Sequence, residues 1–300
     1  MKTSNFSSVY QQVRPFLYII GTFTFLIIVG AVLLSQDFAS VHETCSFRKA
    51  FFTAVSAVCV TGLTVVNTAY QWSIYGQLII LILIQLGGLG VMVIATAILM
   101  MFQRTMPSLN HKVFEQVFDV NESVSIKRLT LVIIGFTLLV ELFGALLLFI
   151  FFKPLSGGAR RAFFDAVFHS VSSFCNEGFS TFPNGLIDYS HHLGVNLVIT
   201  GLIILGSIGF IVVLELIPFG SNREKAVKSL HFNLAVRMNI FLYLTAFIGF
   251  FLFECKNVLA NETWYHSLLI SWFQSVTLRT AGHNTVDFAN LLPVTLFYCA

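Results

Sequence analysis

From Ile74 to Phe102 the chain runs without a single charged side chain. Such a stretch cannot sit on the surface of a water-soluble domain. It is longer than the roughly 20 residues an α-helix needs to cross about 30 Å of hydrocarbon. Four more long apolar runs carry at most one charge each: Phe16–Ser35, Leu129–Phe152, Leu193–Ile217 and about Leu234–Phe253. Glu141 lies within the third of the five runs, Glu215 near the end of the fourth and Arg237 near the start of the fifth. Composition agrees. Charged residues are 10% of 300, the apolar group 56%, and Phe alone numbers 33; the mean hydropathy is +0.84. Soluble domains carry roughly 25% charged residues, so the chain reads as an all-α polytopic membrane protein.

The net charge of +3 leaves no concentrated basic face for nucleic acid. The cysteines Cys45, Cys59, Cys175, Cys255 and Cys299 are odd in number, form no CxxC, and read as small apolar packing residues. The first apolar run is followed by no convincing cleavage site and reads as a retained span. Pro15 is expected to open that span. With the N-terminus inside, the cytoplasmic segments hold ten of the 17 Lys and Arg, which supports that orientation by the positive-inside rule.

Shorter apolar runs alternate with the long ones: Ala50–Cys59, Ala162–Cys175 and Trp264–Leu278. They are too short to span and read as re-entrant segments entering from the outer side. Each leads to a glycine. Aligned on Gly62, Gly178 and Gly282, the segments repeat at intervals of 116 and 104 residues. The repeating unit is span, re-entrant helix, glycine-bearing return, span. The units divide as 1–110, 111–222 and 223–300, the last with an incomplete second span.

Non-helical backbone at membrane depth survives only when buried in protein or lining a water-filled cavity. A short helix turns its partly negative C-terminal end inward. Glycine permits positive φ, and carbonyl oxygens can then replace the water around a cation. Four such loops about one axis would form a cation-selective filter. The ligands would be the backbone oxygens at Val60 and Thr61, Asn176 and Glu177, and Thr280 and Ala281, each pair just before its glycine. Leu63, Phe179, Arg279 and His283 flank them. The blander reading of the three glycines is helix packing, but a single position in three repeats favours the filter. For Gly87, Gly88, Gly90, Gly206 and Gly209 in the following spans, close packing is favoured over a bend or gate.

The stretches SAVCVTGLTVV (Ser56–Val66) with QLGGLG (Gln85–Gly90), FCNEGFST (Phe174–Thr181) with VNLVIT (Val195–Thr200), and TLRTAGHNTVD (Thr277–Asp287) carry a resemblance. In combination they resemble the Ktr/Trk/HKT superfamily of potassium transporters, over nearly all 300 residues. The short segment before the first span is most like the bacterial Ktr membrane subunit. The resemblance implies repeated M1–pore-loop–M2 units around a pseudo-four-fold pore, three of the four units being present here. The expected activity is K⁺ uptake across the bacterial plasma membrane, by symport or channel-like passage, with loop glycines going with K⁺ preference. It also implies a homodimer on a cytosolic ring of nucleotide-binding regulatory subunits. Na⁺ activation stays open, and K⁺ at the filter carbonyls is the sole metal expected.

Glu177 and His283 depart from the family, which often has Ala and usually Phe there. The larger departure is the missing fourth unit: only 18 residues follow Gly282. The expectation is a fragment or truncated product of a longer transporter. The family's gating loop would then lie beyond Ala300.

Glu141 is expected to be a buried, hydrogen-bonded carboxylate rather than a coupling site. Glu177 is expected to pair with Arg279 or attract cations at the mouth, and His283 to be surface-facing or else to titrate. His191 and His192 are adjacent in an external loop, and no Cys or carboxylate is seen to complete a metal set. No HExxH, GxSxG, Walker A or GxGxxG occurs, so no enzyme is expected. The rivals are a non-conducting truncated product that needs another chain to complete its ring, and a membrane scaffold in which the repeat is architectural.

Overall fold

The computed structural model describes residues 3–41, 45–105, 126–154, 158–209, 212–213 and 230–299. These residues form helices α1 (Thr3–Leu34), α2 (Phe47–Val58), the single turn α3 (Thr68–Gln71), α4 (Ile74–Thr105) and α5 (Ile126–Phe152). There follow α6 (Ala159–Phe174), α7 (Leu193–Ser207), α8 (Leu230–Glu254), α9 (Trp264–Thr280) and α10 (Pro293–Cys299). The fold is all-α.

Each apolar run becomes a helix, because in hydrocarbon every backbone N–H and C=O must be satisfied within its own segment. The three short runs become α2, α6 and α9, of 12, 16 and 17 residues. Among the described residues, α5 and α8 contain stretches long and apolar enough to cross a membrane, Leu131–Phe152 and Phe232–Glu254. Their outer faces leave large apolar side chains exposed, including Leu138, Leu139, Leu142 and Phe143 on α5 and Leu244, Ile248 and Leu252 on α8. A face of that kind suits lipid and not water.

Packing follows chain order. Helix α2 is held between α1 and α4, α6 between α5 and α7, and α9 against α8. Helix α4 also touches α5 and α6, and α7 touches α9. One cluster of buried apolar residues runs from Ala54 and Ile84 through Phe168 and Phe174 to Phe273. The short helices are therefore the buried centre. The buried face of α6 also carries Ser170, Ser172 and Ser173, and that of α9 carries Ser271, Gln274 and Ser275.

Two expectations change. Helix α1 runs through Pro15 instead of starting at it; neighbouring groups can re-satisfy the backbone around a proline inside a membrane helix. Helix α7 stops at Ser207, short of the Ile217 expected, and Gly209 beyond it takes φ +89°. The bend considered at Gly209 is thus present. Glu215, and Pro107 and Pro218 with much of the Lys and Arg set that orients the chain, lie outside the described residues.

Candidate pore-loop site

Each short helix ends just before its glycine, and the backbone then turns by a common device. Gly62, Gly178 and Gly282 have φ of +70°, +77° and +76°. The departing strand is tied back by an i→i−5 bond. Thr61 N donates to Ser56 O at 3.0 Å, Glu177 N to Ser172 O at 2.8 Å, and Gly282 N to Thr277 O at 3.1 Å. Side chains add to this. The Ser172 hydroxyl donates to Phe179 O at 2.8 Å and the Thr277 hydroxyl to His283 O at 2.8 Å. The Thr61 hydroxyl reaches Ser56 O at 3.2 Å.

The three returns lie side by side. A Cβ on Gly62 would collide with the Glu177 carbonyl oxygen, and one on Gly178 with the Ala281 carbonyl oxygen. The second loop therefore sits between the first and the third. The Thr280 hydroxyl donates to Asn176 Oδ1 at 2.8 Å, joining the third loop to the second. Further out, Asn67 Nδ2 donates to Pro183 O at 2.7 Å and Leu186 N to Asn284 O at 2.9 Å. The order of burial matches: Glu177 and Phe179 are buried, whereas Thr61, Leu63, Thr280 and Gly282 are exposed.

Sequence reading missed one feature. Val60 and Asn176, two residues before the glycine, also have positive φ, +56° and +60°. Asn adopts this conformation readily, but for a β-branched residue it is an outlier. Asn176 hinted at it, and Val60 gave no hint. Strained backbone of this kind gathers at functional sites.

Gly87, Gly88 and Gly206 in the following spans are packing residues, whereas Gly209 has no neighbour within 4 Å of a Cβ and marks the bend. A Cβ on Gly87 would strike the Val58 carbonyl, one on Gly206 the Phe174 carbonyl, and one on Gly88 would press on Cys175. They let α4 and α7 approach the C-terminal ends of α2 and α6.

Three expectations about side chains are corrected or sharpened. Arg279 does not pair with Glu177. Its guanidinium donates to Asn239 Oδ1 and, at 2.9 Å, to the Tyr243 hydroxyl, and it lies over the Tyr243 ring. It thus anchors the end of α9 to α8. His283 is not surface-facing: it is 1% exposed, with Nε2 3.1 Å from Ser173 Oγ and its ring beside that of His169. Its position just after Gly282 turns it into the interior. Glu141 is buried as expected; its carbonyl accepts from Ser170 at 2.6 Å, and its carboxylate lies 4.0 Å from Cys175 Sγ, at the end of α6.

Two further carboxylates carry structure that the sequence did not reveal. Asp165, buried in α6, accepts from Thr181 at 2.7 Å and pairs with Arg161 at 3.1 Å, so it ties the helix to its own return. Glu254, fully buried at the end of α8, accepts from Leu292 N at 3.0 Å, from Asn257 at 2.6 Å and from Thr295. It holds the first turn of α10, where a negative group is favoured.

His191 and His192 diverge. His192 Nδ1 accepts from Val195 N at 3.2 Å and so caps α7, while His191 turns toward Glu262 and His266. The carboxylate that seemed lacking beside His191 is Glu262, 71 residues away in sequence.

These features have clear relatives. The chain is 34% identical over 285 residues to the potassium/sodium uptake protein NtpJ of Enterococcus hirae, covering 94% of this chain and 62% of that one. It is 36% identical over 278 residues to the Ktr system potassium uptake protein B of Bacillus subtilis, covering 92% and 61%. The chain thus spans about three fifths of the length of these curated relatives. The crystal structure of the potassium transporter TrkH from Vibrio parahaemolyticus shares the fold, with a TM-score of 0.65 at 22% identity over 95% of this chain and 55% of that one. Residues 14–299 match the TrkH family, described as cation transport proteins. With three positive-φ glycines set edge to edge at the ends of buried short helices, the chain belongs to the TrkH cation transport family.

Proposed function

We propose that this chain forms the K⁺-conducting part of a Ktr-type uptake system in the bacterial plasma membrane. The ligands are backbone carbonyls at Val60, Thr61, Asn176, Glu177, Thr280 and Ala281, next to Gly62, Gly178 and Gly282. The observation that carries the reading is the edge-to-edge contact of the three returns, Gly62 on Glu177 and Gly178 on Ala281. Loops so placed can present oxygens to one axis. A K⁺ ion exchanges its water for those oxygens and moves down its electrochemical gradient, at about 2.3 kcal/mol per charge per 100 mV. No bond is made or broken, in keeping with a family of transporters and not of enzymes.

The units 1–110, 111–222 and 223–300 serve as the repeats of a ring that takes four loops. The names of the relatives, potassium/sodium uptake protein and Ktr system potassium uptake protein, support K⁺ as cargo and keep Na⁺ activation in play. The assembly that goes with this reading is a homodimer on cytosolic nucleotide-binding subunits.

The test is growth of a K⁺-uptake-deficient bacterium at low K⁺. The protein should restore growth, and Gly178→Ser should abolish K⁺ flux while the protein remains in the membrane. Flux unaffected by Gly178→Ser would leave the repeat a scaffold.

A further inference from the structure

The return that leads into α7 meets the start of α9. There His191, Glu262 and His266 converge. His191 Nε2 lies 2.9 Å from Glu262 Oε2, and His266 Nδ1 lies 3.7 Å from the same oxygen. The two imidazoles stack with centroids 4.0 Å apart and planes 8° from parallel. One ligand atom from each of the three residues lies within 4.8 Å of the others.

We propose that these three side chains form a binding site for a divalent transition metal of the zinc class. Two imidazole nitrogens and one carboxylate oxygen are a donor set that zinc accepts in three-ligand sites with an open fourth position. Bonds of about 2.0–2.2 Å in tetrahedral array place ligand atoms roughly 3.3–3.6 Å apart. The spacings here bracket that range, so small rotations of side chains bring the three atoms to one ion. Imidazole donors favour such ions over Mg²⁺ or Ca²⁺, which prefer all-oxygen sets.

The placement gives the site a role. Glu262 and His266 stand one turn apart at the entry to α9, whose far end carries Thr280, Ala281 and Gly282. His191 belongs to the segment between the second loop and α7. A bound ion would fasten the outer end of α9 to the second unit. Solvent reaches the site: the side chains of His191, Glu262 and His266 are 49%, 26% and 21% exposed. The site is separate from the carbonyl loops, so it stands or falls apart from the proposed transport function.

Isothermal titration of the purified protein in detergent, stripped with chelator and then titrated with Zn²⁺, tests the site without any transport assay. The expected result is saturable binding of one Zn²⁺ per chain with a rise in Tm, and no such effect from Mg²⁺. His191→Ala and Glu262→Gln should each lower the affinity tenfold or more, since losing even an outer-shell partner of a metal ligand costs about 10–100-fold. His191 is half-exposed, so its replacement leaves the core intact, and Glu262→Gln keeps the side-chain shape. Absence of saturable binding, an effect of Mg²⁺ equal to that of Zn²⁺, or unchanged affinity in both variants overturns the proposal; the last outcome would place the metal elsewhere, as at the exposed Cys59 or Cys255.

Discussion

Thr280 and Asn176, each two residues before a loop glycine, are joined by a 2.8 Å hydrogen bond from the threonine hydroxyl to the asparagine carbonyl oxygen. Residues 104 apart in sequence thereby hold two returns in register. Replacing Thr280 by Val keeps the shape and removes the bond. We expect a loss of about 1 kcal/mol in stability and weaker discrimination of K⁺ from Na⁺. Thermal denaturation in detergent, with paired ⁸⁶Rb⁺ and ²²Na⁺ uptake, measures both; an unaltered ion preference would show that the bond has no part in selectivity.

Gly62 and Gly178 each face a neighbouring carbonyl with no room for a Cβ. Gly62→Ala adds a clash to the cost of holding a non-glycine residue at φ +70°, itself about 1–2 kcal/mol. K⁺ uptake is expected to fall at least roughly tenfold, which corresponds to about 1.4 kcal/mol. A Cβ on Gly282 would meet nothing within 4 Å, so Gly282→Ala should suffer only the backbone cost. Equal loss of uptake in the two variants would count against the packing argument.

His283 is buried with its ring nitrogen at hydrogen-bonding distance from Ser173. His283→Phe fits the family's usual residue but orphans that hydroxyl, at a cost of about 1–3 kcal/mol. The double variant with Ser173→Ala should recover much of the lost Tm. Failure of the second substitution to restore any stability would mean that the pair does not interact.

Asp165 joins the middle of α6 to Thr181 in its return. Asp165→Ala leaves a buried threonine hydroxyl and Arg161 without this acceptor. A drop of about 2–4 kcal/mol is expected, as for the loss of one partner in a buried polar network. Proteolysis of membrane vesicles should show the return, 175–190, cut faster than in the parent protein. Identical cleavage rates would refute this role.

Much of the architecture was legible because hydrocarbon imposes it. The long runs and the three short ones announce themselves by length and low charge, and the spacing of Gly62, Gly178 and Gly282 marks the three returns, where each glycine takes a positive φ. What was hidden depends on contacts between distant segments. Arg279 looked like a partner for Glu177, but three-dimensional packing gives it Asn239 and Tyr243. His283 reads as surface-facing or titrating, yet the turn carries it inward. The end of α7 at Ser207 was only hinted at by Gly209, since the apolar run continues past it and close packing is the favoured reading there. His191, Glu262 and His266 meet only through the fold, and Val60 adopts its left-handed backbone despite its residue type.

The abutment of each return on the next resembles stones in an arch, where no stone sets its own height. Gly62 rests on Glu177, and Gly178 on Ala281. An error of a few tenths of an ångström at Ala281 therefore travels to its neighbours instead of staying local. The side chains before each glycine differ, Val-Thr, Asn-Glu and Thr-Ala, while the main chain beneath them abuts from one return to the next.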